Sequence, residues 1–299
     1  MLEQSASQPD SGAATLGSNP AESSLLSLQP PVIIEPTKAV LPISLRDIWT
    51  YRELLYFLIW RDLKVRYKQT ALGVAWVVLQ PLLMTIIFTI VLGRLARVPS
   101  DGVPYLILVF SGLLPWTFFS NAILFSSNSL VANTNLITKV YFPRAIIPAA
   151  AVGARLVDFC ITFVVMIALL IYYGVSPGWN LLMLPVFVTL ITLLSLGLGF
   201  WTSAMNVKYR DVAYILPVLT QLWMFVSPVL YPLSLVPQKW RWLYSLNPAI
   251  GIIEGFRSSL LNRPFPWTAI TISTVITGLV LLYSMFAFKR MERYFADTL

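Results

Sequence analysis

Two ionisable residues, Arg155 and Asp158, lie inside a long apolar stretch of the sequence. A charged side chain is costly within a membrane-spanning helix, where it usually faces the bundle interior or an aqueous path. Their spacing of three places both side chains on one face of a helix. They could line a passage, or form a mutual salt bridge that lets the helix insert and sets its packing. Both interpretations stay open at this point.

The residue types needed for most enzyme chemistry are missing or scattered. Histidine is absent, which removes the commonest general base and the commonest metal ligand, and the single cysteine, Cys160, excludes an intramolecular disulfide. The sequence has no GxxxxGK[ST] phosphate loop, and carboxylates such as Asp62 and Asp211 form no paired motif. We therefore predict a chain that is not an enzyme and that holds no metal or nucleotide of its own. A membrane-bound transferase would need clustered catalytic groups, and a purely structural scaffold would not need charges inside a span.

The composition predicts an all-α integral membrane protein. Hydrophobic residues make up 57% of the chain and charged residues only 11%, whereas soluble domains average about 45–50% and about 25%. A soluble fold could not cover its surface with so few charges, but a lipid-facing surface needs none. The net charge of +8 could indicate nucleic-acid binding in a soluble protein. Here it fits the excess of Lys and Arg in cytoplasmic loops.

Six apolar stretches are long enough to cross a bilayer, which takes about 20 helical residues. They are Trp76–Gly93, Val103–Phe125, Ala145–Tyr173, Leu181–Met205, Val212–Tyr231 and Trp267–Phe288. With the N-terminus inside, the cytoplasmic segments hold most of the Lys and Arg residues, and the external segments hold only Arg94, Arg97, Lys239, Arg241, Arg257 and Arg263. The positive-inside rule therefore predicts that both termini are cytoplasmic.

Two segments of different character precede the first span. Residues 1–40 are rich in Ser, Pro, Ala and Gln without a sustained apolar period, and we predict a disordered extension before a transmembrane domain at 41–299. The next segment, Leu45–Tyr67, contains an apolar run, Leu54–Trp60, with charges and aromatic residues around it. Because the run is too short to span, we predict an interfacial helix that lies on the membrane.

Proline interrupts the segment before the last span. Its motif NPAIGIIEGFR, from Asn247 to Arg257, contains Pro248 and Glu254 and predicts short re-entrant helices that dip into the outer leaflet. An ordinary external loop is the alternative.

Aromatic residues in the second span, Trp116, Phe118 and Phe119, could line a passage for sugars, whose faces stack on aromatic rings. Ordinary lipid or core contact is the alternative. The loop that follows this span ends in ITKVYFPR (Ile137–Arg144), which could dock a cytoplasmic partner or serve only as a connector.

Four motifs in a fixed order connect these features to a known family. YKQTALGVAWVVLQPL enters the first span, ITKVYFPR follows the second, NVKYRD follows the fourth and NPAIGIIEGFR precedes the sixth. From about residue 45 onwards the chain resembles the permease subunit of type-2 ABC exporters of polysaccharides, the exporters of O-antigen, capsular polysaccharide and teichoic acid. A type-2 ABC exporter of a lipid, a drug or another small molecule is the alternative.

The resemblance implies the partners and the cargo. Two copies of the permease would pair with two ATP-binding subunits, which bind ATP and Mg²⁺, and a lipid-linked glycan would be moved outward through the bacterial cytoplasmic (inner) membrane. The resemblance places four residues at the contact with the ATP-binding subunit: Lys139, Tyr141, Phe142 and Arg144. It places four cations at the cytoplasmic entrance, where they would attract an anionic pyrophosphate-linked glycan: Arg61, Lys64, Arg66 and Lys68. Positive-inside bias alone would also explain these cations.

Overall fold

The computed structural model describes residues 49–68, 73–176 and 178–292, and within these ranges the chain is helical, with turns and no strand. The predicted all-α class is confirmed for this part of the chain. The predicted extension 1–40 lies outside the described residues, as do residues 45–48 of the predicted interfacial segment and residues 69–72 of the motif before the first span.

The described ranges contain ten α-helices: α1 (Arg52–Lys68), α2 (Ala75–Phe88), α3 (Tyr105–Ala132), α4 (Thr134–Lys139), α5 (Ile146–Tyr172), α6 (Leu184–Lys208), α7 (Val212–Val226), α8 (Arg241–Tyr244), α9 (Pro248–Leu261) and α10 (Trp267–Glu292). A π-helix, Thr89–Leu95, continues α2, and a 3-10 turn, Trp179–Met183, precedes α6. Two further 3-10 turns, Leu233–Leu235 and Gln238–Trp240, lie before α8.

Five helical segments of the described chain are long and apolar enough to cross a membrane: Ala75–Leu95, Tyr105–Ala132, Ile146–Tyr172, Trp179–Lys208 and Trp267–Glu292. The fifth predicted span is shorter, because α7 has only 15 residues. A proline disfavours helical geometry in the residue before it, and Pro228 follows the end of α7 closely. The integral membrane class is therefore supported, and the count of six spans stays a prediction.

Helix α3 is the centre of the bundle. It packs against α5 and α6, while α10 packs against α6 and α9. The side chains of α3 are largely buried, whereas those of α2 and α7 are largely exposed. The exposed apolar faces of α2 and α7 therefore lie at the periphery of this chain.

Helix α1 has one side that packs against the bundle and one side that is exposed. It packs against α5 and buries Leu58 and Leu63, and its other side exposes Tyr56 and Trp60. Ile59 passes close to α5 at Gly153, where a Cβ would lie 2.6 Å from Ile59 Cδ1. A helix with one packed side and exposed aromatic residues suits a membrane surface. Its placement on the membrane stays a prediction.

Arg257 of α9 stabilises the irregular chain after α7. Its guanidinium donates to the carbonyls of Pro228 at 3.0 Å and Val229 at 3.1 Å, and it pairs with Glu254 at 2.6 Å. Backbone carbonyls outside a helix need such partners when they are buried. The approach requires a glycine in α3, since a Cβ on Gly112 would lie 2.2 Å from the carbonyl oxygen of Val229.

Candidate functional site

A cavity of about 360 Å³ lies between α2, α3 and α5, next to the last residues of α1. Charged, uncharged polar and aromatic side chains all contribute to its wall. The lining residues are Arg66, Gly73, Trp76, Val77, Gln80, Pro81, Leu114, Thr117, Phe118, Asn121, Phe125, Arg155, Asp158, Phe159 and Thr162. We call it the arginine cavity. Such a volume is near the lower end of the range for small-molecule sites, about 300–1,000 Å³.

Asp158 is the centre of a charged network in this cavity. Its Oδ2 lies 2.6 Å from Nη1 of Arg66 and 2.9 Å from Nη1 of Arg155. Its Oδ1 accepts a hydrogen bond from the hydroxyl of Tyr67. Arg66 and Tyr67 belong to α1, and Arg155 and Asp158 to α5. The network therefore ties the end of α1 to a membrane-spanning helix.

The aromatic ring of Phe125, from α3, lies against both guanidinium groups of the network. The Cζ atom of Arg66 is 4.6 Å from the ring centroid, and that of Arg155 is 4.2 Å from it. A guanidinium at such a distance is attracted by the quadrupole of the ring. Phe125 therefore adds to the attraction of Asp158 in keeping the two arginines next to each other despite their like charge.

Tyr67 acts as a hydrogen-bond donor in the network. Burial raises the pKa of its hydroxyl above the ordinary value for tyrosine, and the hydrogen bond and the charge of Asp158 raise it further. The phenol therefore keeps its proton at physiological pH and can donate to an anionic oxygen.

The cavity carries side chains suited to binding. Guanidinium groups, the amides of Gln80 and Asn121 and the rings of Trp76 and Phe118 can recognise anionic and hydroxyl-rich groups. No group of three or more acidic, histidine or cysteine side chains in the described ranges could hold a metal ion.

Residues 53–261 match the family model described as ABC-2 type transporter, which is more than half of the chain. The chain belongs to the ABC-2 type transporter family. It is also 30% identical over 259 residues to the O-antigen export system permease protein RfbA of Myxococcus xanthus, covering 85% of this chain and 98% of the relative. A Klebsiella pneumoniae protein of the same description is 29% identical over 249 residues, covering 83% of this chain and 95% of the relative. The Escherichia coli polysialic acid transport protein KpsM is 25% identical over 207 residues, covering 67% and 78%.

Of the side chains predicted to line a passage in this ABC-2 chain, three meet at the arginine cavity: Phe118, Arg155 and Asp158. The other two predicted residues, Trp116 and Phe119, are buried elsewhere, and their rings pack against Trp223 of α7 at centroid distances of 6.2 and 5.2 Å. Within one copy these two rings therefore contribute to the core contact between α3 and α7.

The four predicted entrance cations lie on α1, but their environments differ. Arg66 reaches the cavity and binds Asp158, whereas Arg61 pairs with its neighbour Asp62 at 2.9 Å. Lys64 and Lys68 are exposed. Arg66 thus provides the direct link from α1 to the cavity, and an entrance role for the group stays a prediction.

The predicted contact with an ATP-binding subunit divides into exposed and packed side chains. Lys139, the last residue of α4, is exposed, and Tyr141 is 93% exposed in the loop between α4 and α5. Phe142 is buried in a cluster that includes Leu58 of α1, and Arg144 donates to the carbonyl of Glu292 at 2.8 Å. The loop therefore anchors itself through its C-terminal half and presents Tyr141 outward.

The predicted re-entrant segment forms a packed helix. Asn247 caps α9 by accepting from the backbone N–H of Ala249 at 3.1 Å, and Pro248 occupies the first turn, as is favourable for a helix start. Asn247 also accepts a hydrogen bond from Trp223 Nε1 at 2.9 Å. Glu254 and Arg257 form the buried pair described above. The depth of this helix in the membrane stays a prediction.

Sequence reasoning did not single out Phe125, Asn121, Gln80 or Tyr67 as site residues. A weak signal was present, since Phe118, Asn121 and Phe125 recur at helical spacing and share one face of α3. In a helix that is apolar nearly all round, this spacing does not reveal which face meets a cavity.

Proposed function

We propose that this chain is the transmembrane subunit of an ATP-driven exporter that moves a lipid-linked polysaccharide across the cytoplasmic membrane of a bacterium. The observation that carries the proposal is the similarity to an O-antigen export permease along 98% of that relative. The polar and aromatic lining of the arginine cavity supports a hydroxyl-rich and anionic cargo.

ATP hydrolysis is assigned to a separate subunit with its own ATP and Mg²⁺. The sequence of this chain contains no phosphate-loop motif. Tyr141, at 93% exposure, is the most exposed of the large apolar or aromatic side chains described. A large aromatic side chain presented in this way suits a protein contact.

A second copy of the chain would complete the passage. The exposed face of α7 is apolar and continuous along the helix: Tyr214, Ile215, Val218, Leu219, Leu222 and Phe225. Lipid could cover this face, but an extended glycan needs a walled path through the membrane. We infer that two copies pack side by side and that each supplies one wall, with two ATP-binding subunits below them.

The positive-inside rule orients the bundle in the cytoplasmic (inner) membrane. The end that carries α1 and the α4–α5 loop also holds Lys208, Arg210, Lys289 and Arg290, and the hydrogen bond from Arg144 to Glu292 joins that loop to the end of α10. We assign this basic end, together with both termini, to the cytoplasm.

Deleting the gene is expected to remove one surface polysaccharide and to leave its lipid-linked precursor inside the cell. The measurement is the extracted surface glycan and the intracellular glycolipid of the deletion strain, with and without a plasmid copy of the full chain. Unchanged surface glycans, or the loss of a lipid or small-molecule efflux instead, would contradict the polysaccharide assignment.

Replacing Tyr141 by alanine is expected to lower transport-coupled ATP hydrolysis severalfold without disturbing the fold. An exposed side chain contributes little to stability, but an aromatic residue at the centre of a protein contact often contributes 2 kcal/mol or more, as an order of magnitude. The measurement is ATPase activity and co-purification with the ATP-binding subunit, and the chain without that subunit should be inactive.

Tyr172→Ala is the matched control, because Tyr172 is 82% exposed at the opposite end of α5. It should leave assembly and ATPase activity unchanged. Equal behaviour of both variants would make the α4–α5 loop a simple connector.

A further inference from the structure

Two arginines and one aspartate line the arginine cavity. Arg66 and Arg155 both face Asp158, and these three residues are the ionisable groups named in its lining. Two guanidinium groups therefore share one carboxylate at the wall of the cavity. A pair of guanidinium groups held this close together attracts an anion.

Arg155 also has unused hydrogen-bonding capacity. The residue is only 4% exposed, and neither Nε nor Nη1 has a hydrogen-bond partner of acceptable geometry among the described residues, although Nη1 forms the ion pair with Asp158. A buried donor without an acceptor is unfavourable by about 1–3 kcal/mol, and by more when it is charged. Since Arg155 lines the cavity, an anionic ligand there could supply the missing acceptors.

The arrangement around Asp158 matches what a phosphate would need. Two guanidinium groups and one phenol hydroxyl converge on its two oxygens. A phosphate offers more acceptor oxygens and more charge than a carboxylate, and the planar fork of arginine fits it with two hydrogen bonds at once. Phe125 would keep both guanidinium groups in place if the carboxylate withdrew.

We propose that the arginine cavity binds the diphosphate group that joins the cargo to its lipid, and that Asp158 is an internal counter-ion which this group displaces. The inference rests on the proposed function for the identity of the cargo. Without the ligand the carboxylate offsets part of the positive charge of the two arginines, and its displacement releases Arg66 and Arg155 from Asp158 together. Because Arg66 and Tyr67 belong to α1, this exchange also moves the anchor between α1 and α5. Gln80, Asn121 and Trp76 then face the first sugar.

Replacing Asp158 by asparagine tests the counter-ion role directly. The amide oxygen can still accept from Tyr67, but it cannot neutralise an arginine. The purified full chain in phosphatidylcholine nanodiscs is titrated with inorganic pyrophosphate and with a short polyprenyl diphosphate, against the matching polyprenol. We expect Asp158→Asn to bind the diphosphate probes about tenfold more tightly than the unmodified chain, which corresponds to about 1.4 kcal/mol, and to bind the polyprenol no better.

Arg66→Gln provides the second measurement. If Asp158→Asn does not fold, this variant alone tests whether the arginine cavity binds diphosphate. The Arg66 side chain is 27% exposed, so its loss should be tolerated, and we expect weaker binding of diphosphate. Arg52→Gln is the matched control on the same helix, because Arg52 is exposed, donates to the carbonyl of Trp49 at 3.5 Å and does not line the cavity. Unchanged diphosphate binding in the folded Asp158 and Arg66 variants, or an equal loss in the Arg52 variant, overturns the proposal.

The two probes distinguish the source of the phosphate. Tightening with the polyprenyl diphosphate supports the lipid-linked cargo, whereas tightening with inorganic pyrophosphate alone overturns that source in favour of a free phosphoanion. The binding assay involves no export, so its outcome is independent of the deletion experiment. If surface glycan is lost on deletion and the Asp158 and Arg66 variants bind diphosphate as the unmodified chain does, the proposed diphosphate site is rejected and the proposed function is kept. The reverse result rejects the proposed function and keeps the site.

Discussion

Replacing Arg257 by alanine is expected to prevent the chain from accumulating in a folded form. The side chain is 1% exposed and pairs with Glu254, whose own side chain is 12% exposed. Removing one partner of such a buried pair typically costs about 3–5 kcal/mol, because the other charge stays buried without compensation. The carbonyls of Pro228 and Val229 lose their donor in the same step.

The measurement is the yield of monodisperse chain in mild detergent, together with its thermal unfolding midpoint. Combining Arg257→Ala with Glu254→Gln should recover part of the yield, since it removes the uncompensated carboxylate but not the unpaired carbonyls. Arg263→Ala is the matched control, because Arg263 is 23% exposed on its side chain and lies 3.6 Å from its partner Asp101. A yield and midpoint for Arg257→Ala equal to those of the control would show that the buried pair is dispensable.

Exchanging Arg155 and Asp158 is expected to disable the chain, although the exchange keeps the net charge and the spacing. For an isolated pair on one helix, the swapped residues would still neutralise each other. In the folded chain Asp158 also binds Arg66 at 2.6 Å and accepts from Tyr67. The swap would place a new guanidinium against Arg66 and would remove the carboxylate that accepts from Tyr67. We expect a marked loss of stable assembly and of export.

A third substitution, Arg66→Glu, gives the new arginine a partner again. The triple variant should regain assembly more than export, since the diphosphate-binding arrangement would still be missing. The control is the same exchange of Lys289 and Glu292, a pair at the end of α10 at 2.8 Å whose lysine is 58% exposed. Exposed pairs contribute about 0–1 kcal/mol, so this swap should be nearly neutral. Wild-type stability and export in the Arg155–Asp158 swap would mean that the two residues act as a closed pair.

Local hydropathy located most of the membrane helices. The third predicted span, Ala145–Tyr173, corresponds to α5 at Ile146–Tyr172, because transfer into lipid depends on the summed apolarity of a contiguous segment. The second span was predicted to end at Phe125, but α3 continues to Ala132. Its polar end stays helical, and the hydroxyl of Ser129 donates to the carbonyl of Ser126 at 2.7 Å within the same helix. Hydropathy marks where a segment leaves the membrane and not where its helix ends.

The sequence alone also determined that the chain lacks recognisable catalytic and nucleotide-binding motifs, that Arg155 and Asp158 share a helix face, and that the Asn247–Arg257 motif is distinctive. These are properties of residue type and short-range spacing. Only the tertiary structure decided that Arg66, separated from Asp158 by 92 positions, completes the charged network. It also decided that Arg257 donates hydrogen bonds to the backbone carbonyls of Pro228 and Val229 after α7. Such pairings depend on which helices pack together. The physical reason is that burial in a bundle is a sum over many weak contacts between distant segments, so the neighbours of a buried charge follow from helix packing and not from its own stretch of sequence.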